Sequence, residues 1–320
     1  MKLKMMYSFL NTDLQLIESE LEKSIETDRF LLQEASLHLL QAGGKRIRPV
    51  FVLLAAKFGD YDIHRIKHVA VALELIHMAS LVHDDVIDDA DMRRGQPTIK
   101  ARWDNKIAMY TGDYIFARSL ELMTFIDKVE AHRIISHTIV ELCRGEIEQI
   151  RDKFNADQNL RTYLRRIKRK TALLIAASCQ IGALTANAPK EVHEALFKFG
   201  YYVGMSFQIT DDILDFTATE QQLGKPAGSD LRQGNITLPV LYAMEDDSFK
   251  EKLSKLDEQS SEEDLLELIH FIKQSDAVDR SFSLSDRYLE KAFQQLDKLP
   301  SGQAKRTLNN IAKFIGKRKY

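Results

Sequence analysis

Over long stretches of this chain apolar residues recur at every third or fourth position with polar residues between them, the period of an amphipathic helix. The stretches 61–89, 129–152, 160–187 and 190–218 show it most fully. Those at 61–89, 160–187 and 190–218 are apolar around more than one face, as expected of helices enclosed in the middle of a large bundle. Strand-like alternation between turn residues is missing, and so is the Asn-Gly signal of a hairpin. Breaks bearing glycine or proline fall near Gly43–Gly44, Gly95–Pro97, Pro189, Gly224–Gly228 and Pro300. Such joints suit helix–helix connections, and none is long or low in complexity. The pattern predicts one all-α domain over residues 1–320, built from helices of roughly fifteen to thirty residues. Residues 245–320 are more polar and carry no legible motif, which predicts outer helices with mobile loops at 256–262.

Composition narrows the picture a little. The chain has 320 residues, 44% of them hydrophobic and 29% charged, as in ordinary globular proteins. A formal net charge of −2 carries no basic footprint for nucleic acid. Cys143 and Cys179 both sit in helical runs, which predicts buried, inert thiols in a reducing compartment. The opening MKLKMMYSFLNTDLQLIE turns polar too early for a signal peptide. No window approaches a membrane-spanning length of apolar residues. The expectation is a cytoplasmic protein, with peripheral contact to a membrane surface still open.

Two acidic stretches change the picture. LVHDDVIDDADMRRG at 81–95 gathers Asp84, Asp85, Asp88, Asp89 and Asp91 directly after an apolar run. Asp84 and Asp88 share one helical face, where like charges repel and the helix C-terminus is already negative. Something positive must stabilise them, and an oxygen-only ligand set favours Mg²⁺ over zinc. FQITDDILDF repeats the D-D-x-x-D spacing with Asp211, Asp212 and Asp215, again at the end of an apolar helix. One such cluster is usually a solvated helix end; two in one all-α chain point to a metal site. The cations fit the same idea. GGKRIRP places Lys45, Arg46 and Arg48 at a glycine-flanked helix start suited to an anion. Arg93, Arg94, Lys170 and Lys225 follow in RRG, RRIKRKT and LGKPAGSD. Singly each is a surface charge; together they suggest a site for two phosphorylated groups.

D-D-x-x-D followed by R-R-G, a second D-D-x-x-D and an upstream G-G-K-R-x-R-P together resemble the trans-isoprenyl diphosphate synthases, in the family's order from about residue 40 to 240. The context LELIHMASLVHDDVIDDADMRRGQPT is most similar to long-chain members, specifically to catalytic subunits of two-component enzymes. The resemblance implies a helical bundle around a deep cavity (the isoprenoid synthase fold), and a dimer. It implies that Asp84, Asp85, Asp88, Asp211 and Asp215 hold Mg²⁺, about three ions with substrate bound. It implies that Arg93, Lys170, Thr171, Gln208 and Lys225 contact an allylic diphosphate, such as farnesyl diphosphate. Lys45, Arg48, His77 and Arg94 would receive isopentenyl diphosphate. Asp84, Asp85, Asp88, Arg93, Lys170, Asp211, Asp212 and Lys225 form the expected catalytic set. Where many relatives carry a further lysine this chain has Asn235. The implied partner is a smaller non-catalytic subunit, and the implied product feeds a quinone side chain.

Product length is read by stepping back along the helix from Asp84. Ala79 and Ser80 are small where a bulky aromatic would block a growing chain, and Ile76 and Ala72 continue the face. The expectation is an open tunnel and a product of about C30 to C40, with C35 the family's nearest match; residues 139–149, Gln149 included, are a candidate wall. Three rivals remain. An HD-type metal phosphohydrolase would use His83–Asp84 with His64, His68 and His77, but leaves the second acidic motif unexplained. A class I terpene cyclase would not carry both diphosphate sites. A non-catalytic synthase-like subunit would be expected to lose acidic ligands, and here both sets are intact.

Overall fold

The computed structural model describes residues 2–219, 226–257 and 259–317. Almost every described element is a helix. The long runs expected from periodicity are the helices Ile63–Ile87, Val129–Arg151 and Lys190–Thr217, each within two residues of its sequence bounds. The fourth run is helical from 160 to 185 but widens into a π turn at Lys168–Ala172, between Leu160–Ile167 and Leu173–Thr185. Short polar side chains start several helices by accepting orphan backbone N–H groups. Asp62, Asp104 and Asn159 do so for His64, Ile107 and Thr162.

The chain divides into two compact units: Met1–Ile134, Ser178–Phe197 and Pro300–Leu308 in the first, Ile135–Ala177, Lys198–Leu299 and Asn309–Tyr320 in the second. In the first, Ile47–Ala56 buries every residue from Pro49 onward, and Ile63–Ile87 buries eight consecutive residues, Val69 to Ile76. Each such Val, Leu or Ile side chain contributes about 1.5–3 kcal/mol by leaving water. All-round burial leaves Ile63–Ile87 no freedom of register, so its last turn has a fixed position. Close packing depends on Gly112: a Cβ there would lie 2.4 Å from His83 Nε2.

One small feature departs from the helical expectation. Met92–Arg93 pairs antiparallel with Gln96–Pro97 across a two-residue turn, Arg94 and Gly95, at φ 53° and 76°. Both central residues are left-handed, as a type I′ turn requires. Arg-Gly fills the place usually signalled by Asn-Gly, so the hairpin is invisible to that rule.

In the second unit, one apolar cluster joins Tyr163, Ile167, Ala172, Met205, Ile209, Ile213 and Leu238. Another gathers Phe216, Leu231, Val240, Phe249, Leu268 and Ile272. The polar C-terminal third forms amphipathic helices, Glu262–Gln274 burying Leu265, Leu268, Ile269 and Ile272 along one side. Among the described residues, no helix is long and apolar enough to cross a membrane.

Candidate functional site

The first acidic motif occupies the last turn of Ile63–Ile87 and its cap. Asp84 and Asp85 are helical, Asp88 is the C-cap, and its N–H still bonds Asp84 O at 2.8 Å. Asp85 is buried, and Arg93 grips its Oδ1 through Nε at 2.7 Å and a terminal amine at 2.6 Å. Burial raises the Asp85 pKa in spite of that cation. Asp89 and Asp91 both bind Lys100, the latter at 3.3 Å.

Behind the motif, four arginines lie near enough to one imidazole for their charge to act on it. His77 is half-buried, and burial followed by Arg48, Arg94, Arg93 and Arg46 pushes its pKa well below the ordinary value. Burial likewise pulls Arg48 down to about 10, with Arg94 adding to the shift and Glu74 opposing it. Arg94 is depressed by burial and by Arg46 and Arg93. Arg48 Nε and Glu74 Oε2 are both buried without a hydrogen bond. The Arg94 guanidinium lies over Gly44, where a Cβ would sit 2.7 Å from it. Cations that depress one another's proton affinity beside an unsatisfied donor have the chemistry to accept a multivalent anion.

Arg46 plays a different part from Arg48. It sits at φ 46°, ahead of Ile47–Ala56, and binds Glu18 at 2.7 Å, Glu74 at 3.2 Å and Leu40 O at 3.2 Å. These bonds fix the turn that aims its neighbours. Lys45 beside it is exposed. Ala79 and Ile76 are buried, and the Ser80 hydroxyl is spent on His77 O at 2.8 Å. The histidines of the hydrolase reading are dispersed, for His68 stacks on Phe125 while His77 lies among arginines.

The second unit holds the other motif near the end of Lys190–Thr217. Asp212 is buried with both oxygens occupied: Tyr163 OH donates at 2.7 Å and Gln208 Nε2 at 2.8 Å. Burial and the nearby Asp230 push it up to about 7. Asp215 Oδ2 accepts from Asp230 N at 3.0 Å, tying the motif to the start of the short helix Ser229–Arg232. The π turn carries Lys170 and Thr171, and π turns often mark functional sites. Lys170 Nζ reaches Glu146 at 3.3 Å and Gln149 at 3.2 Å, while Thr171 donates to Gln208 Oε1 at 2.6 Å. Gly145 and Gly204 make room for the turn: a Cβ on either would meet Arg169 Cβ at 2.7 Å or Ala172 Cα at 2.6 Å. Asn235 leaves its Oδ1 buried and unbonded. Lys225 lies outside the described residues.

Sequence reasoning missed Glu74, Tyr163 and the pairing of Lys170 with Glu146, and of the two cysteines expected to be buried only Cys179 is, Cys143 being exposed. Single letters inside apolar runs give no signal of which partner they meet. Among the described residues no three acidic, histidine or cysteine side chains form a ready-made metal cage. The donor set fits Mg²⁺ all the same, since this ion takes one or two carboxylates and completes its shell with water and substrate phosphate.

The fold and its paired acidic and cationic motifs define a class of helical proteins that handle diphosphates. The chain matches the polyprenyl synthetase family over residues 29–272 and belongs to it. It is 64% identical over 320 residues to the Bacillus subtilis heptaprenyl diphosphate synthase component 2, spanning 100% of this chain and 92% of that protein. Its structure matches the heptaprenyl diphosphate synthase of Staphylococcus aureus with a TM-score of 0.94 at 46% identity, covering 97% of this chain and 99% of that one. It also matches a Caulobacter crescentus polyprenyl synthase complexed with calcium and isoprenyl diphosphate (TM-score 0.93, 30% identity, 99% of each chain). The fold is the isoprenoid synthase fold.

Proposed function

We propose that the whole chain, as one catalytic domain, is a Mg²⁺-dependent long-chain trans-prenyltransferase that condenses isopentenyl diphosphate onto an allylic diphosphate. Arg48, whose Nε is buried without a partner, and Arg94, whose guanidinium lies over Gly44, carry this reading together with His77, because they support a second diphosphate site beside the acidic motif. Lys45 completes that site. Asp84, Asp85, Asp88, Asp211 and Asp215 are assigned to about three Mg²⁺ ions, which supply charge neutralisation on the allylic diphosphate when bound. Arg93, Lys170, Thr171, Gln208 and Lys225 hold the same diphosphate and offset charge growing on it as the allylic C–O bond ionises. The cation is captured by the isopentenyl double bond and a proton is lost. Small apolar side chains exclude water and leave room for the chain to grow, which favours a C35 product destined for a quinone. The reaction suits the cytoplasm, with a released lipid product at a membrane surface.

A smaller non-catalytic subunit is the assigned partner, and one helix face supports it. Along Val129–Arg151, Val140 (47%), Ile147 (67%) and Ile150 (44%) are exposed with Cys143 between them. They follow Ser136 at alternating steps of four and three, the spacing of a seam between two helices. The deciding experiment incubates purified protein with farnesyl diphosphate, labelled isopentenyl diphosphate and Mg²⁺, with and without the smaller subunit. Long prenyl diphosphates are expected, strongly increased by the subunit. Phosphate release from nucleotides without chain growth would replace this reading with the hydrolase.

A further inference from the structure

Asp212 belongs to the acidic motif, yet both its oxygens are already committed. Tyr163 OH holds Oδ2 at 2.7 Å and Gln208 Nε2 holds Oδ1 at 2.8 Å. Gln208 then passes the link on: its Oε1 accepts the Thr171 hydroxyl at 2.6 Å. Because Nε2 faces a carboxylate, the orientation of this amide is settled, and Thr171 must be the donor. Tyr163 is 0% exposed, and burial and Asp212 hold its phenol well above the ordinary pKa, so it keeps the proton with which it donates to the Asp212 carboxylate.

Tyr163 and Thr171 stand on one continuous helical run, Tyr163 in Leu160–Ile167 and Thr171 in the π turn Lys168–Ala172. Asp212 therefore grips that run at two points, directly through Tyr163 and through Gln208 at Thr171. Lys170 lies between them. Two fastenings eight residues apart restrain this part of the run from sliding or rotating past the end of Lys190–Thr217 that carries Asp211 and Asp215. A π turn has weaker internal support than an α-helix and gains most from such fastening. Buried carboxylates are costly unless fully hydrogen-bonded, and this one is satisfied without a metal.

We infer that Tyr163 is a positioning residue of the allylic-diphosphate site, acting through Asp212 to set the register between the π turn bearing Lys170 and Thr171 and the helix bearing Asp211 and Asp215. The inference rests on the prenyltransferase reading. On this assignment Asp212 organises the site and is not itself a metal ligand.

The test compares Tyr163→Phe, Asp212→Asn and the double variant in the complete enzyme with its partner subunit. Phenylalanine keeps the ring within its apolar cluster, and asparagine keeps shape and one acceptor oxygen. Each single variant should raise the KM for farnesyl diphosphate and the Mg²⁺ concentration for half-maximal rate about tenfold. The KM for isopentenyl diphosphate should stay within about twofold, because its cations are elsewhere. The double variant should be no worse than the more affected single one, as expected of two groups in one link. Equal rises in both KM values, unchanged KM values with only a lower Tm, additive losses, or a failure of both single variants to fold would each overturn the inference. Wild-type enzyme separates the two readings. If it makes no prenyl diphosphate, the function is wrong; if it does and the variants show no split, only the role of Tyr163 is wrong.

Discussion

Arg93 takes hold of Asp85 with two nitrogens on a single carboxylate oxygen, at 2.7 and 2.6 Å. The arginine thus occupies an acceptor that the proposed Mg²⁺ ions need, and acts as a counter-charge of the motif. The consequence is a divergence. Arg93→Gln should tighten Mg²⁺ binding to the substrate-free enzyme, because a competitor is gone. It should also lower kcat about 10²-fold, because a cation facing the leaving diphosphate is lost. Calorimetric titration and steady-state rates measure the two sides. Weaker Mg²⁺ binding in the variant would show that Arg93 does not compete with the metal.

His77 predicts a stability profile. Burial, then Arg48, Arg94, Arg93 and Arg46, lower its pKa in the fold from 6.5. As pH falls below 6.5 the unfolded chain takes up a proton that the native imidazole refuses. Stability from this group is therefore complete above that value and lost as acidity rises. Tm should fall between about pH 7 and pH 5, and His77→Gln should flatten that slope. Added pyrophosphate should move the imidazole titration upward by offsetting the arginines, which NMR can follow. Identical slopes for both proteins would end this assignment.

Much of the architecture was legible because it rests on period and composition. The bounds of Ile63–Ile87 and Lys190–Thr217 follow from apolar runs and their polar stops. The acidic motifs were legible because their charge cannot be explained by packing. Other features were not. The Arg94–Gly95 turn depends on left-handed φ values that arginine rarely signals. The π turn at Lys168–Ala172 depends on glycines from other helices, Gly145 and Gly204, which make room for it. Glu74 and Tyr163 read as ordinary letters in an apolar stretch until their partners are known. Pairings distant in sequence, such as Tyr163 with Asp212, leave no trace in a single chain.

Gly204 tests how tightly the π turn is held. A methyl group there would lie 2.6 Å from Ala172 Cα and 3.1 Å from its Cβ, so backbone must move. Gly204→Ala should cost about 1–3 kcal/mol, lower Tm by about 2–6 °C, and raise the KM for the allylic substrate. Gly302→Ala is the control, since a Cβ there meets nothing within 4 Å. Its Tm should change by no more than about 1 °C. Equal effects at both positions, read by calorimetry, would mean that crowding at the turn is relieved without consequence.

Ala79 carries the prediction on product length. It is 2% exposed, one turn before the acidic motif, with Ile76 at 3% and Ala72 at 0% continuing the same face. Ser80 beside it turns its hydroxyl into its own helix, so it presents little more than a methylene to its surroundings. None of these four positions puts an aromatic ring of its own on the face. Ala79→Phe adds a benzyl group, at a packing cost of about 1–3 kcal/mol, and should stop elongation several isoprene units early. The first condensation should keep its rate within about threefold, because the diphosphate contacts are untouched. Chromatography of labelled products gives the answer directly. A shift from long to short prenyl diphosphates assigns the face to chain growth; the wild-type distribution from a folded variant would place the growing chain elsewhere.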